Sequence, residues 1–369
     1  MTASGPRRWD LAAVIAAAVG AAVLVAAAVL FVNSRGFGYD FAAYHAAALR
    51  LLDGAPLYLP DTAARYAAGA YEGLYLYPPP LAIAMTPLAL LPLDGATTAW
   101  MILRIGMLAA GCAILPVAPR VRLLTFAVAC VSHAVLFDLN LGNVSLVTFV
   151  LATVAWRAMD TPLAAVAHAA LVAIRAPFAV VFLGWTARGS GRAIAWTIIA
   201  GLVMIALTIP VVGVDGYLEY IAILRGLPDI TTGPHNLSLR TTGSAAGLPA
   251  DLAALLVPAG YLAGAIAIVF AARRRDADVS FVVTVLATLV IAPFIHPHYL
   301  VLLLLPTALL LDRGHAWALA IPLAGWLPGT MLPVIAPVVI GLLIVLVPPR
   351  ERGRAGRLGT PGTVSAMPS

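Results

Sequence analysis

The chain has 369 residues, 62% hydrophobic and only 10% charged, where an ordinary soluble domain is roughly a quarter charged. No soluble core absorbs that much apolar surface, so the bilayer acts as solvent for most of the chain. The formal charge of +6 comes from 22 basic residues, all arginine and mostly at the ends of apolar runs, which reads as membrane topology and excludes a nucleic-acid partner.

In chain order, Arg7 and Arg8 precede an apolar run to Val32, too long for the ~7–15-residue core of a cleaved signal peptide and therefore a first retained span. Further apolar stretches lie near 79–92, 96–117, 123–137, 144–158, 161–186, 192–213, 249–272, 279–294, 298–311, 315–331 and 333–348, which with the first (11–32) make about twelve. The expected fold class is all-α, a polytopic membrane helical bundle with short interfacial helices in its outer loops. One membrane domain covers residues 1–348, with extracytoplasmic loops at 33–77 and 214–250. The tail 349–369, rich in Arg, Gly, Pro and Ser, is expected to be disordered and cytoplasmic. Twelve crossings put both termini inside, with Arg188, Arg192, Arg273 to Arg275 and Arg313. Arg120, Arg122 and Arg157 then fall outside, a conflict that points to a misplaced span. Cys112 and Cys130 sit in apolar runs and read as inert buried thiols.

The first outer loop opens with Gly38-Tyr39-Asp40-Phe41, a carboxylate at the membrane surface. Two readings stand: a general base, because partial desolvation raises the proton affinity of Asp, or the N-cap of a short helix whose apolar stripe is Phe41, Tyr44, Ala48 and Leu51. Asp53-Gly54-Ala55-Pro56-Leu57-Tyr58 ends that helix, and Tyr75-Leu76-Tyr77-Pro78-Pro79-Pro80 leads into the next span. Tyr44 and Tyr77 belong to a concentration of tyrosines that either belts the interface or stacks on a substrate, and His45 is a neighbouring candidate. Further on, Arg175 sits deep in an apolar run, which implies a polar cavity or a snorkelling side chain. His298 beside Tyr299 is either a satisfied structural group or a substrate contact. No His, Asp or Glu cluster has metal spacing, so neither a metal nor another cofactor is expected.

The order Gly38-x-Asp40-Phe41, Gly54-x-Pro56-Leu57-Tyr58 and Tyr77-Pro78-Pro79 resembles glycosyltransferase family 87. Asn140-Leu141-Gly142-Asn143 stands where that family has Gly-Gln-x-Asn, and Arg175-Ala176-Pro177 where it has Lys-Pro. His235-Asn236-Leu237-Ser238-Leu239-Arg240 is similar to its Asn-x-Ser segment, and Pro293 to Tyr299 to its Pro-x-x-x-x-His-Tyr. The family includes the polyprenol-phosphate-mannose-dependent α-mannosyltransferases of actinobacteria. The resemblance implies a GT-C type fold and an inverting hexosyltransferase of the plasma membrane with an extracytoplasmic site. Asp40 would be the base, and Tyr44, His45, Tyr77, Arg175, His235, Asn236, Arg240 and His298 would bind substrate. The implied partners are a polyprenyl-phosphate sugar donor, a lipid-linked or cell-envelope glycan acceptor and membrane lipids. An arabinofuranosyltransferase is the near alternative. A transporter or flippase is the distant one, and the absence of any fixed-period repeat argues against the first of these two.

Overall fold

The computed structural model describes residues 6–227, 236–292, 294–326, 339–341 and 344. The expected span at 333–348 lies largely outside these residues, and the tail 349–369 and His235 lie wholly outside them. The described residues are mostly helical, with no strand among them. The helices are α1 (Pro6–Val32), α2 (Tyr39–Leu52), α3 (Thr62–Ala67), α4 (Pro79–Ala89), α5 (Leu93–Ile114), α6 (Pro119–Cys130), α7 (His133–Leu141), α8 (Ser145–Arg157) and α9 (Pro162–Ile174). They continue as α10 (Val181–Ala187), α11 (Gly191–Gly226), α12 (Leu239–Ala245), α13 (Ala250–Arg274), α14 (Ala277–Ile291) and α15 (Leu304–Asp312), with 3-10 segments at Ala176–Val180, Pro297–Leu303 and Ala316–Trp326.

Among the described residues, α1, α5, α11 and α13 are each long and apolar enough to cross a membrane alone, and α6 with α7 makes a fifth span bent by 61°. α1, α11 and α13 expose apolar side chains along most of their length, as helices facing lipid do. The interior is built from shorter pieces: α8 and α14 bury their side chains with α5, α7 and the 297–312 segment in one apolar core. A helix of 13 residues rises only ~20 Å, against ~37 Å for the 25 residues of α13, so the central helices are about half the length of the peripheral ones.

Two ends of the bundle are distinct. At one, Arg157 Nη1 donates to the Ile114 carbonyl (3.3 Å), Arg122 Nε to the Leu115 carbonyl (2.8 Å) and Ala118 N–H to Asp312 Oδ1 (2.9 Å), while Arg313 pairs with Asp276 at 2.8 Å. At the other, Gly38 N–H donates to the Asn140 carbonyl (2.8 Å) and Trp100 Nε1 to the Gly142 carbonyl (2.9 Å), so the starts of α2 and α5 meet the end of α7.

This arrangement corrects the expected path of the chain. The apolar run 79–92 does not carry the chain across. The start of α4 is held beside α2 by Tyr77 against Tyr44 (ring centroids 5.3 Å), and its end by His45 Nε2 donating to the Leu91 carbonyl (3.0 Å). Both tethers reach the same turn of α2, so α4 lies across α2 and α5 departs from the same end. Removing that crossing moves Arg120, Arg122 and Arg157 to the other side, and a second change keeps Arg188 and Arg313 with them. The run 161–186 is a hairpin, α9 leading from Asp160 to Arg175 beside Ser145 and residues 176–187 returning to Arg188 beside Asp160. With both changes the conflict in arginine placement disappears. The second outer loop also begins later than expected. Gly213, at φ 68° and ψ 173°, kinks α11, but the helix continues to Gly226.

Candidate active site

Two glycines let the pieces of the site approach. Gly38 (φ 73°) caps α2, and a Cβ there would run into Thr97. Gly142 (φ 80°) terminates α7, and a Cβ there would lie 2.6 Å from Phe41 Cβ. Both positions need the left-handed conformation and the missing side chain together. Asp40 is therefore not the N-cap. It sits inside the first turn of α2, where its carboxylate is favoured by the helix dipole, and its side chain points across to the segment after α7.

There Asn143 Nδ2 donates to Asp40 Oδ2 at 2.8 Å. Asn143 Oδ1 accepts from Val144 N–H (2.7 Å), which fixes the amide so that its NH₂ faces the carboxylate. The same oxygen accepts from Arg175 Nη2 (3.4 Å), which donates more strongly to Ser145 Oγ (2.7 Å). One amide thus joins a carboxylate to a guanidinium. Arg175 Cζ lies 3.3 Å from the centre of the Tyr299 ring, a cation-π contact, and the side chain is 8% exposed. Among the described residues, its Nε and Nη1 have no hydrogen-bond partner. Tyr77 stands within electrostatic reach of Arg175, Tyr299 and Asp40, and Tyr44 packs edge-on against it.

Burial pushes the Asp40 carboxyl above its ordinary value. The Asn143 hydrogen bond and the positive charges of Arg104 and Arg175 oppose that rise without cancelling it. A carboxylate held this way has raised basicity and an amide neighbour to orient it.

Arg104 and Asp138, which the sequence reading left without a role, shape the segment beneath Asp40. Both are 0% exposed and paired at 3.3 Å. Arg104 also donates to the carbonyls of Asp138 (2.5 Å) and Leu139 (2.9 Å), and Asp138 Oδ1 accepts from Ser145 N–H (3.0 Å). The pair closes the turn that presents Asn143. The signal was there to be read, because two opposite charges each inside an apolar run are costly unless they meet.

The other expected residues are distributed differently. His298 is 2% exposed, and among the described residues neither ring nitrogen has a hydrogen-bond partner. It stacks with Phe137 and lies within electrostatic reach of Arg175 and Arg104. Asn236 Oδ1 accepts from the backbone N–H of Ile295 (2.9 Å) and of Ser238 (3.0 Å), and Leu237 N–H donates to the Ile295 carbonyl (2.7 Å). Those bonds pin the strand-like stretch that leads into His298 and Tyr299. Arg240 stands half-buried in the first turn of α12, a helix that packs against α13. His45 tethers α4.

The model of glycosyltransferase family 87 matches residues 75–306, well over half of the chain. The chain belongs to glycosyltransferase family 87. As a family 87 protein with several apolar spans it is a membrane glycosyltransferase, and a sugar donor and an acceptor are its substrates. The matched stretch contains Asn143, Arg175, His298 and Tyr299, while Asp40 lies upstream of it. No curated protein and no solved structure matches the chain.

Proposed function

We propose that this family 87 glycosyltransferase moves a hexose, mannose first among the candidates, from a polyprenyl phosphate to a hydroxyl of a lipid-linked or cell-envelope glycan. The observation that carries the reading is the chain Asp40, Asn143, Arg175: a carboxylate of raised basicity linked through one amide to a guanidinium with two unspent donors. Asp40 takes the acceptor proton as the acceptor oxygen bonds to the anomeric carbon. The bond from that carbon to the phosphate oxygen breaks through an oxocarbenium-like state, and its electron pair leaves on the phosphate. Single displacement inverts the configuration. Arg175 offers the departing phosphate a planar donor fork, with His298 buried beside it and Arg240 and His235 as further candidates for the headgroup.

The end of the bundle that gathers Arg120, Arg122, Arg157 and Arg313 is assigned to the cytoplasm, because arginine-rich short loops stay inside. The Asp40 end then faces the extracytoplasmic side of the plasma membrane. A lipid-borne donor suits this placement, since a polyprenyl phosphate brings its sugar to the end of the bundle from within the bilayer. The test is a donor panel on purified protein in nanodiscs, with polyprenyl phosphates carrying mannose or arabinofuranose and release of the lipid phosphate as the readout. Turnover with the mannosyl donor supports the reading. Turnover with the arabinosyl donor alone replaces the sugar, and turnover with neither overturns the donor class.

A further inference from the structure

At the arginine end, remote from Asp40, a cavity of about 240 Å³ opens between α9, α10, the start of α11 and α14. Its mouth holds Asp160 and Arg188, both exposed, and its wall includes Trp185. Its floor is buried and carries His168, Phe281 and Thr284. The floor lies about two turns along α9 from Asp160, roughly 12 Å in.

Three features define what could fit. Arg188 stands two residues before Ser190, which begins α11 without a side-chain cap, so a guanidinium and an open helix N-terminus face the mouth together. His168 is 3% exposed, and its Nδ1 donates to the Ala164 carbonyl at 2.8 Å, which leaves Nε2 as a lone-pair acceptor. Among the described residues no hydrogen bond reaches Nε2, and the ring lines the cavity. Thr284 Oγ1 spends its proton on the Ser280 carbonyl (2.8 Å) and so also presents acceptor lone pairs. The mouth thus attracts an anion, and the floor asks for a hydrogen-bond donor.

We propose that this cavity binds a small phosphate ester carrying a hydroxyl, with the phosphate at Arg188 and the α11 N-terminus and the hydroxyl on His168 Nε2. The shared chemistry could arrive as a water-borne ester or as a phospholipid headgroup. The water-borne source is the better fit. The donor-seeking floor lies deeper toward the bilayer centre than the anion-seeking mouth, so the hydroxyl enters first. Asp160 at the rim disfavours additional negative charge.

The probe is glycerol 3-phosphate, titrated against the full chain in nanodiscs of phosphatidylcholine, with a parallel arm in nanodiscs containing phosphatidylglycerol. Saturable binding is expected. Arg188→Gln is expected to weaken it about tenfold, the usual effect of losing one charge-assisted hydrogen bond, and His168→Phe by a similar factor. Asp160→Asn is expected to tighten it. Arg188 and Asp160 are exposed, so those two variants keep the test valid even where His168→Phe fails to fold. Binding of the soluble ester identifies the water-borne source, and phosphatidylglycerol retained in an Arg188-dependent way, with no binding of the soluble ester, identifies the lipid. Failure of both arms, or binding indifferent to Arg188→Gln, overturns the proposal.

Discussion

Asp40 carries the chemistry of the account because three influences meet on one carboxylate: burial, the Asn143 amide and two guanidinium charges. Burial dominates, so the acid limb of kcat/KM is expected above the ordinary carboxylate value of about 4, with activity rising as the pH passes through the raised value and Asp40 loses its proton. Stability runs the other way. The fold favours the protonated carboxyl, so the contribution of this group is fully present below its ordinary value and is lost as the pH rises through the raised one. A pH profile of turnover beside one of thermal unfolding checks both signs. Arg104 and Asp138 give a second residue-scale expectation. Breaking the buried pair with Arg104→Gln should cost about 3–5 kcal/mol of stability, and Arg104→Gln with Asp138→Asn should cost less than the two single changes added together. Additive costs, measured by denaturation in one detergent, would contradict the coupling. Asp40, Asn143, Arg175 and His298 were all legible as polar residues in short motifs. The amide bridge was not, since 103 residues separate Asn143 from Asp40 and no periodicity reports a contact across that distance.

Among the elements, the shortest were the hardest to read. The run 79–92 has the apolarity of a span, but α4 has only 11 residues, begins on prolines and contains Pro87, a length that suits a helix packed within a protein as well as one crossing a bilayer. Only its tethers to Tyr44 and His45 decide the matter. The glycines show the same limit, because Gly142 stands in the sequence only as one position of the Asn140 to Asn143 motif, and only the structure reveals Phe41 against it. Gly142→Ala forces a Cβ into Phe41 in a left-handed backbone, at a cost of ~1–2 kcal/mol before any clash, and should pull Asn143 from Asp40. The expected result is a kcat/KM reduced at least as much as by Asn143→Ala. Wild-type turnover by Gly142→Ala would show that the close approach of α2 and α7 does not matter for activity.

For the whole molecule, the composition made the membrane class plain, and the two-ended distribution of arginine was nearly legible, needing the removal of the crossing at 79–92 and the division of the run 161–186 into two passes at Arg175. Cys112 and Cys130 are buried, so introduced cysteines can report topology without interference. Ala70→Cys, exposed in the first loop, should react with an impermeant reagent in intact cells, and Arg120→Cys, exposed at the arginine end, only after permeabilisation. Labelling of both from outside would restore the crossing at 79–92. The central claim, that Asp40 drives glycosyl transfer from a lipid phosphate, is tested most directly by turnover of wild type and Asp40→Asn with polyprenyl-phosphate mannose in matched nanodiscs, with donor binding and thermal unfolding measured on the same samples. Asp40→Asn, folded and still binding donor, is expected to lose about 10²–10⁴ in rate, whereas turnover close to wild type would contradict the account.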